Sequence, residues 1–338
     1  MSRRTGLLAI AIPVLLAVAA LMVANPAFSY LNDYQSPGSG TPFVEMWPVT
    51  PQWTLNPTPP SGKMVGDANA VRATVAASFA TWTSAPNTST IVTQVSKAGE
   101  TNITNENTPH NFNLVCFVCT GANFSTDGTL AITLTTATVQ NNQSVLSQAD
   151  IIFNPNPSGM CFIAVANPTQ PPNPGTCPSV SDAPQDLQTV LTHEVGHFFG
   201  LDHSAVVAAM MLPFAPPLRT NLGYDDVAGI SSTYPGPQVI PVGSISGTVS
   251  LGGGTVFGAH VFANSTTATT PFPTTIRKTP IGTLTRPDGT YTINAVPADT
   301  YTVYAEPLDL PVSNSDVSGY ATAFGQTSVQ MNFTTRPH

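Results

Sequence analysis

The stretch His193-Glu-Val-Gly-His197-Phe-Phe-Gly200-Leu-Asp-His203 restricts the fold of this chain more than any other part of its sequence. Residues four apart lie on one face of a helix, so a helix here presents His193 and His197 to the same point, with Glu194 beside them. Gly200 has no Cβ and can adopt the left-handed conformation that ends a helix. The chain can then turn back and bring His203 to the other two imidazoles.

Three histidines with this spacing are typical of a zinc site. Because three protein ligands leave one tetrahedral position open, we predict a catalytic zinc ion bound by His193, His197 and His203. Such an ion lowers the pKa of its water molecule and polarises a peptide carbonyl, and Glu194 is placed to act as the general base. The pattern therefore predicts zinc-dependent hydrolysis of peptide bonds.

The same stretch resembles the zinc-binding sequence of the metzincin peptidases, and its surroundings are similar to the matrixins among them. Ser204 follows the third histidine, and Met211 stands where matrixins have their Met-turn, two residues before Pro213. An ordinary core residue is the alternative for Met211; a thioether is a poor zinc ligand, so we expect packing below the metal. Further segments similar to matrixins are Val71–Trp82, Ala149–Ile151 and Asp225–Ile230.

The resemblance covers residues 45–235 and implies a twisted mixed sheet with three helices. It also implies an antiparallel edge strand that binds protein or peptide substrates as an added strand. Structural calcium is allowed by the family, although no ligands for it are assigned. The chain departs from the matrixin pattern at Ala215, where many members carry a tyrosine, and it has no cysteine before Cys116 to act as a latch.

Hydrophobic periodicity predicts the elements around this stretch. Val71, Val75, Phe79 and Trp82 recur at helical spacing and predict a helix over 67–82. We expect strands at 130–136 and 149–153, a second helix from near Asp182 to Gly200 with Pro184 in its first turn, and a third helix from Asp225. In that third helix, Asp225 or Asp226 is expected to cap the free amides.

Beyond residue 235 the pattern becomes a succession of short strands. Residues 236–243 are expected to be a linker, and 244–338 a small all-β sandwich that resembles the carboxypeptidase regulatory-like, transthyretin-type domain. Strands are predicted at 244–251, 259–263, 290–295 and 300–305, with a turn at 286–289. The predicted fold class is therefore α+β, with the catalytic domain at 30–235 followed by the β domain.

The N-terminus predicts export. Arg3 and Arg4 precede an apolar run, and small residues follow at Ala27 and Ser29, as in a signal peptide over 1–29. A retained membrane anchor is the alternative, although Pro13 interrupts the run. With the signal removed we expect no membrane span and a secreted, periplasmic or cell-surface protein.

The four cysteines agree with an oxidising compartment. We favour disulfides Cys116–Cys119 and Cys161–Cys177, the second of which would close a proline-rich loop. A zinc ribbon or a redox role for Cys116 and Cys119 are the alternatives.

A net charge of −8 and a pI near 5.0 exclude a basic face for nucleic acid.

The remaining histidines have no partners at ligand spacing and are expected to be ordinary surface or packed side chains: His110, His260 and His338.

The sequence as a whole leaves two functions open. One is a secreted zinc endopeptidase; the alternative is an exported adhesive or surface-binding protein with a zinc site that does not turn over peptides. The intact Glu194 and the open fourth position favour the peptidase.

Overall fold

The computed structural model describes residues 34–35, 42–95, 112–120, 122, 124, 128–141, 143–164, 177–214, 219–267, 270–308 and 311–337. The predicted signal peptide, Ala215, His110 and His338 lie outside these residues. Within them, no helix combines the length and the apolar character that crossing a membrane requires.

A mixed seven-stranded sheet forms the main layer. Its strands are β1 (Tyr34–Gln35), β2 (Phe43–Met46), β3 (Gln52–Asn56), β5 (Thr93–Gln94), β6 (Asn113–Cys116), β7 (Ala131–Gln140) and β8 (Gln143–Phe153). The order is β1-β2-β8-β6-β3-β5, with β7 on the other side of β8. Strands β8, β6, β3 and β5 run parallel, whereas β7 is antiparallel to β8. The predicted antiparallel edge strand is therefore confirmed, since β7 has one strand neighbour in the described part of the chain.

Helix α1 (Ala68–Thr83) packs beside the sheet as its periodicity predicts. The carboxylate of Asp67 accepts the amide hydrogen of Ala70 and caps the first turn, a contact of 2.8 Å. The residues that carry the helical pattern are all buried, namely Val71, Val75, Phe79 and Trp82. Burial of this one face explains why a helix without charged pairs forms here.

Helix α2 (Leu187–Phe198) begins later than predicted. Residues 183–186 form strand β10 (Ala183–Asp186), which pairs parallel with β9 (Met160–Ile163); β9 also pairs with β4 (Met64–Val65). Pro184 therefore lies in an edge strand opposite Cys161, where its missing N–H costs little. The helix starts where the Asp186 carboxylate accepts the Thr189 amide hydrogen at 2.9 Å.

Helix α3 (Tyr224–Thr233) begins one residue before the predicted start, with Gly223 as its N-cap. Val227, Ile230 and Tyr234 are buried, as their spacing predicts. Of the two candidate capping carboxylates, Asp226 accepts the Gly223 amide hydrogen at 2.6 Å. Asp225 instead contacts groups outside the helix, which are described below.

The C-terminal region, residues 244–337, contains the predicted strands and one unpredicted helix. The strands are β11 (Val242–Thr248), β12 (Ser250–Leu251), β13 (Gly254–Thr255), β14 (His260–Ser265), β15 (Ile281–Leu284), β16 (Thr290–Pro297), β17 (Tyr301–Glu306) and β18 (Arg336–Pro337). They form a sheet of order β15-β14-β17-β18 and the pairs β11-β16 and β12-β13. The Gly289 amide closes the expected turn onto the Arg286 carbonyl at 2.8 Å. Because α4 (Ser318–Ala323) is helical, the region is not all-β.

A single buried apolar cluster connects the two regions. It includes Trp53 and Trp82 beside the main sheet and Ile281 and Ile293 in the C-terminal region. The predicted linker packs against the catalytic region, because the Asn87 side chain bonds the backbone of residues 239 and 240 at 2.8–3.0 Å. The two regions therefore share a core in this structure.

Both predicted disulfides are present, Cys116–Cys119 and Cys161–Cys177. They account for all four cysteines of the chain, so none is left for a zinc ribbon. The second disulfide joins Cys161, near the start of β9, to the segment that leads into β10. It therefore anchors the entrance to helix α2.

Candidate metal centre

Helix α2 places two imidazoles side by side. The ring centroids of His193 and His197 are 4.8 Å apart, and their Nε2 atoms are separated by 3.1 Å. Two nitrogens bound tetrahedrally to one zinc ion at 2.0–2.1 Å would be about 3.3 Å apart. The spacing therefore suits two ligands of one ion.

The end of α2 brings in the third histidine by the route that its sequence predicts. Gly200 adopts a positive φ of 81°. The amides of Gly200 and Leu201 bond back to the carbonyls of His197 and Gly196 at 2.8 and 3.1 Å, which is a Schellman motif. After this reversal, the nearest ligand atoms of His193, His197 and His203 all lie within 4.8 Å of one another.

Hydrogen bonds decide which ring nitrogens face the centre. Nδ1 of His193 lies 2.9 Å from the Met210 carbonyl, and Nδ1 of His197 lies 2.6 Å from the Leu201 carbonyl. A carbonyl only accepts, so each Nδ1 carries the proton and each Nε2 of the neutral ring presents a lone pair. Two lone pairs 3.1 Å apart repel each other unless a cation lies between them. The donor set of this structure therefore fits a zinc ion.

The protonation states favour metal binding. Burial, together with a smaller effect of the neighbouring His203, lowers the pKa of His193 to about 4. Burial also lowers the pKa of His197 and of His203 below the ordinary value. All three rings are therefore neutral near pH 7, which is the form that binds a metal.

Glu194 lies next to the triad and is nearly inaccessible, with 5% of its surface exposed. Its Oε2 atom accepts a hydrogen bond of 2.7 Å from the hydroxyl of Thr133, on edge strand β7. Burial raises the pKa of Glu194 to about 7, and the bond from Thr133 opposes that rise. The carboxyl is therefore tuned to exchange a proton near neutral pH.

Met211 packs against the helix that carries the first two histidines. A Cβ on Gly196 would lie 2.1 Å from the Met211 sulfur and 2.9 Å from the Trp82 ring, so only glycine fits beneath the methionine. The amides of Met210 and Met211 bond to the buried carboxylate of Asp226 at 2.8 and 3.2 Å. Met211 therefore packs against helix α2 at Gly196, and its predicted role below the metal as the Met-turn residue stays a prediction.

Several residues at the site escape the sequence analysis. Thr133 has no distinguishing sequence signal, because a threonine in a threonine-rich strand is ordinary. Asp202 is a near neighbour of the third histidine: its Oδ1 accepts the His203 amide hydrogen at 2.7 Å. His260 is not among them: it is a buried histidine whose Nδ1 lies 3.2 Å from Glu306, in agreement with the expectation of an ordinary surface or packed side chain.

Among the described residues, the three histidines form the one cluster of three or more metal-binding side chains. Calcium binding stays a prediction without assigned ligands. The resemblance of residues 244–305 to a carboxypeptidase regulatory-like domain likewise stays a prediction.

Comparisons with known proteins agree with this geometry. A sequence profile of the matrixin family matches residues 53–235, more than half of the 338 residues. Metalloendoproteinase 1 of Glycine max is 45% identical over 51 residues, 14% of this chain and 17% of the relative. Metalloendoproteinase 1-MMP of Arabidopsis thaliana is 42% identical over 62 residues, 18% of this chain and 17% of the relative. Karilysin of Tannerella forsythia is 36% identical over 73 residues, 22% of this chain and 14% of the relative.

These matched segments span less than a fifth of the length of each relative. The profile match is longer and contains helices α1, α2 and α3 and all three histidines. On the strength of that match and the site that it encloses, the chain belongs to the matrixin family.

Proposed function

We propose that this protein is an exported zinc-dependent endopeptidase. The observation that carries the proposal is the convergence of three neutral imidazoles whose ligand atoms lie within 4.8 Å of one another, with the Glu194 carboxyl beside them. The two plant relatives named above are metalloendoproteinases by name, which supports the same activity.

Each residue of the site has a part in this reaction. His193, His197 and His203 hold the metal ion, which when bound polarises a peptide carbonyl and acidifies water. Glu194 takes the proton from the attacking water and passes it to the leaving amine. Thr133 holds one carboxylate oxygen and so leaves the other free for the proton. Strand β7 accepts the substrate as an added strand along its open edge.

The proposal of export rests on one sequence feature and one structural feature. The N-terminal segment has the charge, apolar run and small residues of a signal peptide, which we propose is removed near Ser29. Two disulfides join all four cysteines, as expected in an oxidising compartment.

The test is the variant Glu194→Ala. We expect it to bind one zinc ion as the unmodified protein does, while cleavage of an unfolded protein substrate falls about 10²–10⁴-fold, because the proton acceptor is lost. Asp288→Asn, a change at an exposed residue of the turn at residues 286–289, serves as the control and should cleave normally. Full activity of E194A would exclude Glu194 as the base.

The rival function, an adhesive protein with a non-catalytic zinc site, predicts a different result. It requires bound zinc with no cleavage of any protein or peptide library by the unmodified protein. Cleavage-site profiling with and without a zinc chelator separates the two functions, because only a peptidase yields products that disappear with the metal.

A further inference from the structure

The loop that carries the third histidine contacts the C-terminal region along most of its length. This ligand loop, residues 201–212, runs from the end of α2 to the Met-turn. It contains no helix or long strand of its own, so its conformation depends on what it packs against. The residues of the C-terminal region that it contacts lie at least 45 positions further along the chain.

Apolar contacts hold the ligand loop at residues 205, 206 and 212. Leu212 is buried in a cluster with Phe257, Leu284 and Tyr320 of the C-terminal region, and Ala205 packs against the same cluster. Between them, Val206 presses on strand β15. A Cβ on Gly282 would lie 2.8 Å from the Val206 side chain.

Polar contacts hold the middle of the ligand loop. The buried carboxylate of Asp225 accepts the Ser204 hydroxyl at 2.5 Å and the Gly282 amide hydrogen at 2.8 Å. It therefore joins the loop to β15 through one carboxylate. The guanidinium of Arg277 donates to the Ala208 carbonyl at 2.7 Å, two residues before Met210.

The residue before the third histidine contacts the same region. The Asp202 carboxylate accepts the His203 amide hydrogen at 2.7 Å. Gly319 lies against this carboxylate, since a Cβ there would be 3.3 Å from it.

We infer that the C-terminal region is a positioning module for the zinc site, and that Arg277 and Gly282 hold the ligand loop in its metal-binding conformation. The inference rests on the proposed function, because it assumes that the triad binds zinc. A ligand loop that samples other conformations binds the ion with an affinity reduced by the fraction of molecules in the competent state. The module raises that fraction.

The experiment compares variants of two neighbouring basic residues, made in the full-length protein. Arg277→Met removes the donor to Ala208, whereas Lys278→Met removes a cation whose bond to the Thr267 carbonyl lies within the C-terminal region. Zinc affinity is measured by competition with a chelator, and hydrogen exchange is followed at the amides of residues 203–211. We expect R277M to bind zinc at least fivefold more weakly and to exchange faster in this segment, with K278M within twofold of the unmodified protein.

Equal zinc affinity and equal exchange in R277M and the unmodified protein would overturn the inference, and so would equal losses in R277M and K278M. If R277M shows no cooperative thermal transition, Arg277→Gln and Lys278→Gln are compared by the same criteria. Failure of the unmodified protein to bind zinc would instead overturn the proposed function. Normal zinc binding and cleavage with unaffected Arg277 variants would overturn only the positioning role.

Discussion

Thr133 is the side chain outside the histidine stretch that most directly affects the proposed base. Its hydroxyl lies 2.7 Å from Oε2 of Glu194 and 3.1 Å from the Glu194 carbonyl oxygen. A hydroxyl has one hydrogen, and the shorter contact to the charged oxygen receives it. The bond from Thr133 on strand β7 therefore orients the Glu194 carboxylate on helix α2.

Thr133→Val should slow the reaction without weakening substrate binding. Valine keeps the shape but removes a hydrogen bond to a charged group, worth about 1.5–3 kcal/mol, so we expect kcat to fall roughly tenfold or more with KM and zinc content unchanged. Steady-state kinetics with a fluorogenic peptide measure both constants. Thr133→Ser should recover most of the loss. A serine variant as slow as the valine variant would contradict the role of the hydroxyl.

At the scale of elements, the end of helix α2 determines whether the triad forms. Gly200 has a φ of 81°, and a Cβ there would lie 2.4 Å from the Glu45 carbonyl oxygen of β2. Two separate reasons therefore require glycine: the left-handed backbone and the close approach of another strand. The same turn reverses the chain toward His203.

Gly200→Ala should destabilise the protein by roughly 2–5 kcal/mol, because backbone strain and overpacking add. Gly62→Ala is a matched control, since Gly62 has a similar φ of 70° but no atom within 4 Å of a Cβ. We expect about 1–2 kcal/mol for the control. Urea unfolding measures both, and chelator competition should show weaker zinc binding in G200A alone. Equal losses in the two variants would show that strain, not the contact with Glu45, explains the requirement.

At the scale of the whole molecule, the two regions are joined through a buried ionisable side chain. Asp225 is 1% exposed and bonds both to Ser204 and to Gly282. Burial raises its pKa well above the ordinary value, and the neighbouring Asp226 raises it further. The stability that the Asp225 contacts give to the folded protein should therefore depend on pH.

As the pH rises, the free energy of unfolding of the Asp225→Asn variant should increase relative to that of the unmodified protein. The folded pKa of Asp225 lies above its unfolded value of 3.8, so its contribution to stability is complete below that value and is lost as the pH rises through the folded pKa. The change is at most about 1.4 kcal/mol per pH unit. Urea unfolding of both proteins near pH 5 and near pH 8 measures the difference, in which shared titrations cancel.

Asp288→Asn is the control for this measurement. The pKa of Asp288 is lowered by hydrogen bonds from Thr290, so its contribution is lost only as the pH falls through the folded pKa. The difference between this variant and the unmodified protein should therefore stay constant between the two conditions. A D225N variant that loses relative stability toward higher pH would contradict the buried-carboxyl account.

The elements with a strong local pattern were predictable from the sequence. Helix α1 follows from four apolar residues on one face, and strands β7 and β8 follow from β-prone runs. The start of α2 was predicted wrongly because Pro184 suits both a first helical turn and an edge strand. The choice of strand depends on pairing with β9, which lies more than 20 residues earlier in the chain.

The sequence alone determined the chemistry of the site, because the spacing of three histidines and the glycine after the second one are local properties of one helix and its end. Both disulfides were also predictable, since few pairings of four cysteines exist. Only the tertiary structure decided which groups surround the triad. Thr133 reaches Glu194, and Asp225 and Arg277 reach the ligand loop, from three separate segments; such contacts depend on how helices and sheets pack rather than on any local pattern.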